Sequence, residues 1–266
     1  MAATDSELVE VFLTPIRKCA DYRPAFGQGR AEGVDLPSFR SLYGTDPFYA
    51  WLGLDDPLVY AAHKAAGGLT SVYRQIGVGA ERLLRAIIRS AFQLSEEQVS
   101  WRYEYDKPDG TKAQHMLDVQ IALSDLRDPG KARFAEWLLA VRKRVALPHV
   151  KRSQMTGAVF EVRQGYKSAD SKRQNADLRF GIRAYQAGLL PVFMVLSSQI
   201  SEPVVNRYRS DGMLVLTGTL LENPESSTFA FFRDVVDYDL ASFLQRNSNL
   251  LRREMKAILE ALLSAQ

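Results

Sequence analysis

The sequence predicts an α/β protein with a mixed central β-sheet flanked by helices and with helical additions at the N and C termini. Apolar runs of strand length alternate with helical periodicity through the middle of the 266-residue chain, which favours a sheet packed between helices. One run, 189–196, is apolar at nearly every position, as in a strand buried on both faces. The clearest helix, 77–93, carries its apolar side chains at the spacing of one buried stripe.

The composition is that of a globular chain. Apolar residues make up 46% and charged residues 24% of the sequence, and no apolar run approaches the roughly eighteen residues of a membrane-spanning helix. Residues 1–10 contain acidic side chains and lack the apolar core of a secretory signal. The single cysteine, Cys19, permits no internal disulfide and suits a reducing compartment, so we expect a cytoplasmic protein.

Basic charge is concentrated in one segment. Between Arg142 and Arg183 there are eleven Lys and Arg residues and three acidic residues, a net charge of +8 in a chain whose total is +3. Such a concentration is typical of a protein with a polyanionic partner. A solvated basic face without a ligand is the alternative.

The N-terminal part predicts peripheral structure. A helix is expected over 7–22, with Pro15 ending or kinking it, followed by loops over 23–46 and a short helix over 48–54. With no repeat or linker in the chain, we expect one domain in which 1–69 is peripheral, 70–240 forms the core and 241–266 adds a C-terminal helix.

The helix 77–93 places one acidic residue at the edge of its apolar stripe. Glu81 lies in the first turn beside Leu84 and Ile88. Its carboxylate either points into a cleft or only stabilises the positive end of the helix dipole.

Two strand-like segments follow, 101–106 and 116–123, with a KPDG turn after the first. In the second, Leu117 and Val119 share one face, and Asp118 takes the other. A carboxylate in the middle of an apolar strand has to be solvated, paired or bound to a metal.

The basic segment leads into the strand 158–162, which contains Glu161, and then into a helix that ends at Gly188. The remaining elements are expected to be a helix at 131–145 before this strand and, after the buried strand, a short helix at 203–208, a strand at 213–217 and a C-terminal helix at 250–263. Asp118 and Glu161 therefore project from two apolar strands. Two converging carboxylates can hold Mg²⁺, with water and phosphate oxygens completing its shell.

The arrangement of Asp118 followed by Glu161-Val-Arg163 resembles the D…(D/E)-x-K pattern of the PD-(D/E)xK nucleases. The longer strings TSVYRQIGVGAERLLRAIIR at 70–89 and EVRQGYKSADSKRQNAD at 161–177 look like type II restriction endonucleases of that superfamily. The resemblance covers about residues 70–240 and implies a restriction-endonuclease-like core.

By this resemblance, Asp118 and Glu161 are Mg²⁺ ligands and Glu81 is a supporting acid. Arg163 departs from the pattern, because a lysine usually occupies that position and arginine does not release its proton. Either Lys167, just beyond the strand, reaches the metal-bound water, or Arg163 acts only as an electrostatic clamp.

The segment after the strand is predicted to contact DNA. Its polar side chains offer phosphate neutralisation and the donor and acceptor sets that read base edges. The alternative is a capping cluster at a helix start. The candidate DNA-binding residues are Gln164, Ser168, Lys172, Arg173, Gln174 and Asn175.

The sequence thus favours a Mg²⁺-dependent type II restriction endonuclease that cuts double-stranded DNA as a homodimer, with the dimer implied by the resemblance. A repair or junction nuclease with the same core and a catalytically inactive DNA-binding module are the alternatives. The string GYKS at 165–168 does not complete a phosphate-binding loop, the three histidines lack zinc spacing, and no serine-hydrolase motif is present.

Overall fold

The computed structural model describes residues 3–27, 32–106, 109–145, 155–165 and 171–265. The chain forms two compact units. The sheet unit contains Met1–Leu8 and Ala80–Leu244, and the helical unit contains Val9–Gly79 and Gln245–Gln266. Most of the predicted peripheral region and the C-terminal helix thus share the helical unit.

The strands are β1 Trp101–Asp106, β2 Lys112–Leu117, β3 Val119–Ala122, β4 Gly157–Arg163, β5 Leu189–Val195 and β6 Leu214–Leu216. The helices are α1 Asp5–Arg17, α2 Leu36–Gly44, α3 Pro47–Trp51, α4 Pro57–Phe92, α5 Gly130–Arg144, α6 Ser171–Gln186, α7 Glu202–Ser210, α8 Thr228–Phe231, α9 Leu240–Arg246 and α10 Ser248–Leu263. None of the helices in the described part of the chain is long and apolar enough to cross a bilayer.

The central sheet is mixed, as predicted. Its strand order is β3-β4-β5-β6, with β3 antiparallel to β4 and the other two pairs parallel. Every residue of β5 is buried, which confirms the strand predicted from its apolar run. A parallel strand covered on both faces needs apolar side chains on both, so the usual alternation is lost.

The predicted single strand 116–123 is wrong. The chain instead forms β2, which pairs with β1 in a separate two-stranded sheet, and then β3, which joins the central sheet. Asp118 lies at the break between them. Its Oδ2 accepts a hydrogen bond from the backbone N of Val162 at 2.6 Å. The Asp118 side chain therefore bonds to the backbone of β4 just before β3 begins.

Each face of β4 packs against a different part of the sheet unit. Val159 lies in a core with Phe180 of α6, Phe193 of β5 and Tyr208 of α7. Phe160 points the other way, where its ring lies 5.5 Å from that of Phe231. Because successive strand residues alternate between faces, Glu161 and Arg163 share the α6 side with Val159.

In the helical unit, α4 begins at Pro57, well before the predicted start at 77. A Cβ at Gly67 or Gly68 would overlap Tyr22 or Leu262, respectively, so these two glycines permit close packing within a helix that they would otherwise weaken.

The predicted loop over 23–46 is also wrong in part, because α2 is a helix. Asp35 caps it by accepting a hydrogen bond from the backbone N of Ser38 at 2.9 Å, and Phe39 is fully buried. Helix α1 continues two residues beyond Pro15 before a 3₁₀ turn.

Replacing Gly157 with alanine should weaken the pairing of β3 with β4. The added Cβ would overlap the carbonyl oxygen of Ile121 on the neighbouring strand, and backbone atoms cannot move aside cheaply. We expect a loss of about 1–3 kcal/mol in the free energy of unfolding, measured by urea denaturation.

Gly77→Ala is the matched control for this substitution. A Cβ there meets no heavy atom of the described residues within 4 Å, and alanine favours a helix by up to about 1 kcal/mol relative to glycine. Equal stability of the two variants would contradict the close approach of β3 and β4 at Gly157.

Candidate active site

Strand β4 delivers two charged side chains to the face that it shares with α6. Glu161 is only 7% exposed, and the Arg163 side chain is 17% exposed. The apolar residues before them place the strand in the middle of the sheet. Because side chains two residues apart point to the same face, Glu161 and Arg163 both lie in a largely buried position on that face.

Asp118 stands beside Glu161. In the antiparallel pairing of β3 with β4, Val119 is opposite Phe160, and one step further along the two chains are Asp118 and Glu161. Asp118 itself lies just outside β3, and its carboxyl is close enough to Glu161 for the charge of Glu161 to raise its pKa. The structure therefore brings together the two carboxylates that the sequence singled out as metal ligands, and the hydrogen bond from Val162 fixes the orientation of Asp118.

Glu81 of α4 belongs to the same electrostatic neighbourhood. Burial, and then repulsion from Glu161, raise the pKa of the Glu81 carboxyl, although Arg85 and Arg82 oppose the shift. The interpretation of Glu81 as a first-turn acid that stabilises the helix dipole is wrong, because α4 begins at Pro57 and Glu81 lies well inside the helix.

Arg163 bridges two carboxylates. Its Nη1 pairs with Oε1 of Glu161, and its Nη2 donates to Oδ1 of Asp177 on α6 at 3.3 Å. The other oxygen of Asp177, Oδ2, accepts a hydrogen bond from the hydroxyl of Tyr208 at 2.6 Å. Both terminal nitrogens of the guanidinium are therefore engaged by protein carboxylates.

Among the described residues, the carboxylates that interact with Arg163 outnumber this one guanidinium. Four acidic side chains, Glu81, Asp118, Glu161 and Asp177, interact with the guanidinium of Arg163. An excess of buried carboxylate is stable only if protons or a bound cation reduce the negative charge.

The pKa shifts follow from this imbalance. Burial, followed by repulsion from Glu161 and Glu81, raises the pKa of the Asp118 carboxyl well above its ordinary value. For Arg163, burial alone would lower the pKa, but attraction to Glu161, Asp177 and Asp118 outweighs it and raises the pKa. Arg163 is therefore a permanent cation, and the Asp118 carboxyl holds a proton to a higher pH than an exposed aspartate does.

The residues present fit a hard divalent cation. Glu161 Oε2 is buried and has no hydrogen-bond partner among the described residues, and the adjacent Asp118 supplies a second carboxylate. Mg²⁺ takes one or two protein carboxylates and completes its octahedron with water and phosphate oxygens. No group of three His, Cys, Asp or Glu side chains in the described ranges is arranged to hold a metal ion. Asp118 and Glu161 are the two carboxylates that would hold such a cation.

Three residues of this site were not predicted from the sequence. In the sequence, Asp177 is one of three acidic residues in the basic segment, and Tyr208 is the last residue of a predicted short helix. Tyr103 of β1 also lies near the cluster, since burial and then the Glu161 charge raise the pKa of its hydroxyl. The alternation of aromatic and polar residues in 101–106 was the available signal for Tyr103, whereas nothing local pointed to Tyr208.

The predicted DNA-contacting segment is described only in part. Gln164 follows β4 and is half-buried, and its carbonyl oxygen accepts a hydrogen bond from the backbone N of Ser197 at 3.0 Å. Lys167 and Ser168 lie outside the described residues. The four residues from Lys172 to Asn175 lie in the first two turns of α6, where the backbone is described and the side chains are not.

Replacing Asp118 with asparagine should stabilise the metal-free protein at neutral pH. The pKa of Asp118 is raised in the folded state, so its contribution to stability is complete below the ordinary value of 3.8 and is lost as the pH rises through the folded value. Asparagine removes the charge and can still accept the hydrogen bond from Val162. We expect a gain in the free energy of unfolding at pH 7 that disappears towards pH 4.

Thermal unfolding between pH 4 and pH 8 in EDTA measures this gain. Asp211→Asn, at an exposed position, is the control and should show little change with pH. A D118N variant less stable than the parent at pH 7 would contradict the raised pKa.

No family model, curated protein or solved structure matches this chain.

Proposed function

We propose that this chain is a Mg²⁺-dependent endonuclease of the type II restriction class, with a restriction-endonuclease-like core, that hydrolyses phosphodiester bonds in double-stranded DNA. The observation that carries the proposal is the proximity of the Asp118 and Glu161 carboxylates at the start of β3 and the end of β4, with Glu161 Oε2 buried and without a hydrogen-bond partner within the described part of the chain. A carboxylate pair in a buried cluster with excess negative charge suits a hard cation and a phosphate substrate.

Each residue of the cluster has a distinct role in this proposal. Asp118 and Glu161 hold Mg²⁺, and Glu81 supports them from α4. When bound, Mg²⁺ lowers the pKa of a coordinated water and neutralises charge on the phosphodiester. The hydrogen bond from Val162 keeps the Asp118 carboxylate turned towards the site.

Arg163 acts in the proposal as a charge-balancing group. Its two terminal nitrogens contact Glu161 and Asp177, so the guanidinium faces carboxylates. This arrangement favours Lys167 as the cation that faces the scissile phosphate, because Lys167 follows the end of β4 by only four residues.

DNA contact is assigned to the basic segment that includes the start of α6. In the proposal, Lys172 and Arg173 supply positive charge, Gln174 and Asn175 supply base-reading groups, and Gln164 and Ser168 are further polar residues for DNA contact. The N-terminus of α6 adds the favourable end of a helix dipole. A homodimer in which each protomer cuts one strand would match a palindromic site, and the free thiol of Cys19 is compatible with action in the cytoplasm.

Asp118→Ala and Glu161→Ala should each reduce plasmid cleavage in Mg²⁺ by at least about a thousandfold, because removal of a ligand carboxylate removes the cation. DNA affinity, measured by gel shift in EDTA, should change by less than about threefold, since neither residue is assigned to DNA contact. Asp211→Ala is the control and should cleave at the parental rate. Near-parental cleavage by either site variant would end the metal-site assignment.

Lys167→Ala should lower the cleavage rate at saturating Mg²⁺ by about a hundredfold or more, because a cation at the phosphate is lost. Arg163→Lys keeps a positive charge beside Glu161, so we expect a loss of less than about tenfold. Single-turnover rates on one DNA duplex provide the comparison. The reverse ranking would assign Arg163 to the phosphate.

Incubation with mixed-sequence plasmid and Mg²⁺, followed by sequencing of the fragment ends, tests the activity itself. Ends at one repeated sequence support restriction-type recognition. Preference for nicked or branched DNA over intact plasmid would indicate a repair or junction nuclease. DNA binding without cleavage in Mg²⁺ or Mn²⁺ would indicate an inactive binding module.

A further inference from the structure

Asp177 and Tyr208 form a buried support behind Arg163. Asp177 is 6% exposed and Tyr208 is 1% exposed. The Tyr208 ring stacks on Phe193 of β5, with ring centroids 4.4 Å apart and planes inclined by 13°. A stacked and buried ring holds its hydroxyl in one place, so the hydrogen bond of 2.6 Å to Asp177 Oδ2 fixes that carboxylate.

The guanidinium of Arg163 is divided between two carboxylates. Nη1 contacts Glu161 and Nη2 contacts Asp177. A guanidinium alone with one carboxylate forms two parallel hydrogen bonds and engages both oxygens. In this structure Glu161 gives only Oε1 to the arginine, and Oε2 has no hydrogen-bond partner in the ranges that the structure describes.

We propose that Asp177, oriented by Tyr208, is a positioning residue that engages Nη2 of Arg163, so that the guanidinium takes only Oε1 of Glu161 and leaves Oε2 available to a divalent cation. The inference rests on the proposed function in taking Glu161 as a metal ligand. Asp177 acts through Arg163 and does not touch the cation itself.

The negative charge of Asp177 favours cation binding at Glu161, as does its contact with Arg163. Arg163 stays protonated, and a guanidinium close to a bound divalent cation repels it. The carboxylate of Asp177 offsets that charge. Loss of the Asp177 charge would both strengthen repulsion of the cation and release the guanidinium to take both oxygens of Glu161.

Calorimetric titration of the full chain with Mn²⁺ in the absence of DNA tests the inference. Asp177→Asn should weaken Mn²⁺ binding by about tenfold, and Asp177→Glu, which keeps the charge, should weaken it less. Tyr208→Phe removes one hydroxyl and retains the stacked ring, so the variant should fold as the parent does. We expect it to weaken Mn²⁺ binding by about threefold.

A double-mutant cycle separates positioning from general loss of structure. In an Arg163→Gln background the guanidinium is absent, so Asp177→Asn should change Mn²⁺ affinity by less than about twofold. Tyr185→Phe is the matched control, because Tyr185 also lies on α6 and its hydroxyl bonds to the carbonyl oxygen of Gly212, outside the cluster. That variant should bind Mn²⁺ as the parent does.

The outcomes distinguish this inference from the proposed activity. Parental Mn²⁺ affinity in folded Asp177→Asn and Tyr208→Phe proteins would overturn the positioning role, even if DNA is cleaved. The expected affinity changes in a protein that cleaves no DNA would support the positioning role and overturn the nuclease proposal. Absence of Mn²⁺ binding by the parent protein would overturn both.

Discussion

The burial of several carboxylates around one guanidinium is the constraint on which the site depends. An isolated buried charge is costly, and a buried ion pair is tolerated only when its geometry and hydrogen bonds are satisfied. Arg163 meets part of this requirement by contacting Glu161 and Asp177, and Tyr208 holds Asp177. Glu161 Oε2 and Arg163 Nε have no hydrogen-bond partner among the described residues. The sheet supplies the rigid frame, since β4 is paired on both edges by β3 and β5.

Among the described residues, the carboxylates around Arg163 carry more charge than its guanidinium balances, and this excess determines what the site can bind. Arg163 balances only part of the carboxylate charge, and Asp118 responds with a raised pKa caused first by burial and then by the charges of Glu161 and Glu81. A site of this kind binds either protons or a metal cation. Proton uptake and cation binding therefore oppose each other, so acidification should weaken any metal bound at the Asp118–Glu161 pair.

Arginine at the end of β4 allows contacts that a lysine would not make. A lysine ammonium is a compact charge that pairs with one partner and moves easily, whereas a guanidinium is a planar fork that can hold two carboxylates at once. Arg163 uses the fork for Glu161 and Asp177 and so connects β4 to α6.

Local patterns predicted much of the fold. The buried strand β5, the strand that carries Glu161 and the helical stripe around Glu81 were all evident, because each depends on periodicity within one segment. The break at Asp118 was not, because an alternating run of eight residues gives no sign that its two halves join different sheets. Helix α2 was missed because its Pro and Gly content resembles a loop, although Asp35 and Pro37 are typical of a helix start.

Strand patterns in the sequence predicted only those residues of the candidate site that lie in or beside neighbouring strands. Asp118 and Glu161 were paired by their strand patterns alone. Asp177 and Tyr208 are separated by 31 residues and meet only because α6 and α7 pack on the same face of the sheet. Contacts of that kind depend on tertiary packing, and a single sequence has no local signal for them.

Helix α6 links the two parts of the proposed function. Its first two turns contain four of the six residues that the proposal assigns to DNA contact, and Asp177 lies directly after them on the same helix. Asp177 connects this helix to β4 through Arg163 and to α7 through Tyr208. In the proposal, the buried network therefore relates the position of the Mg²⁺ ligands to the position of the DNA-contacting segment.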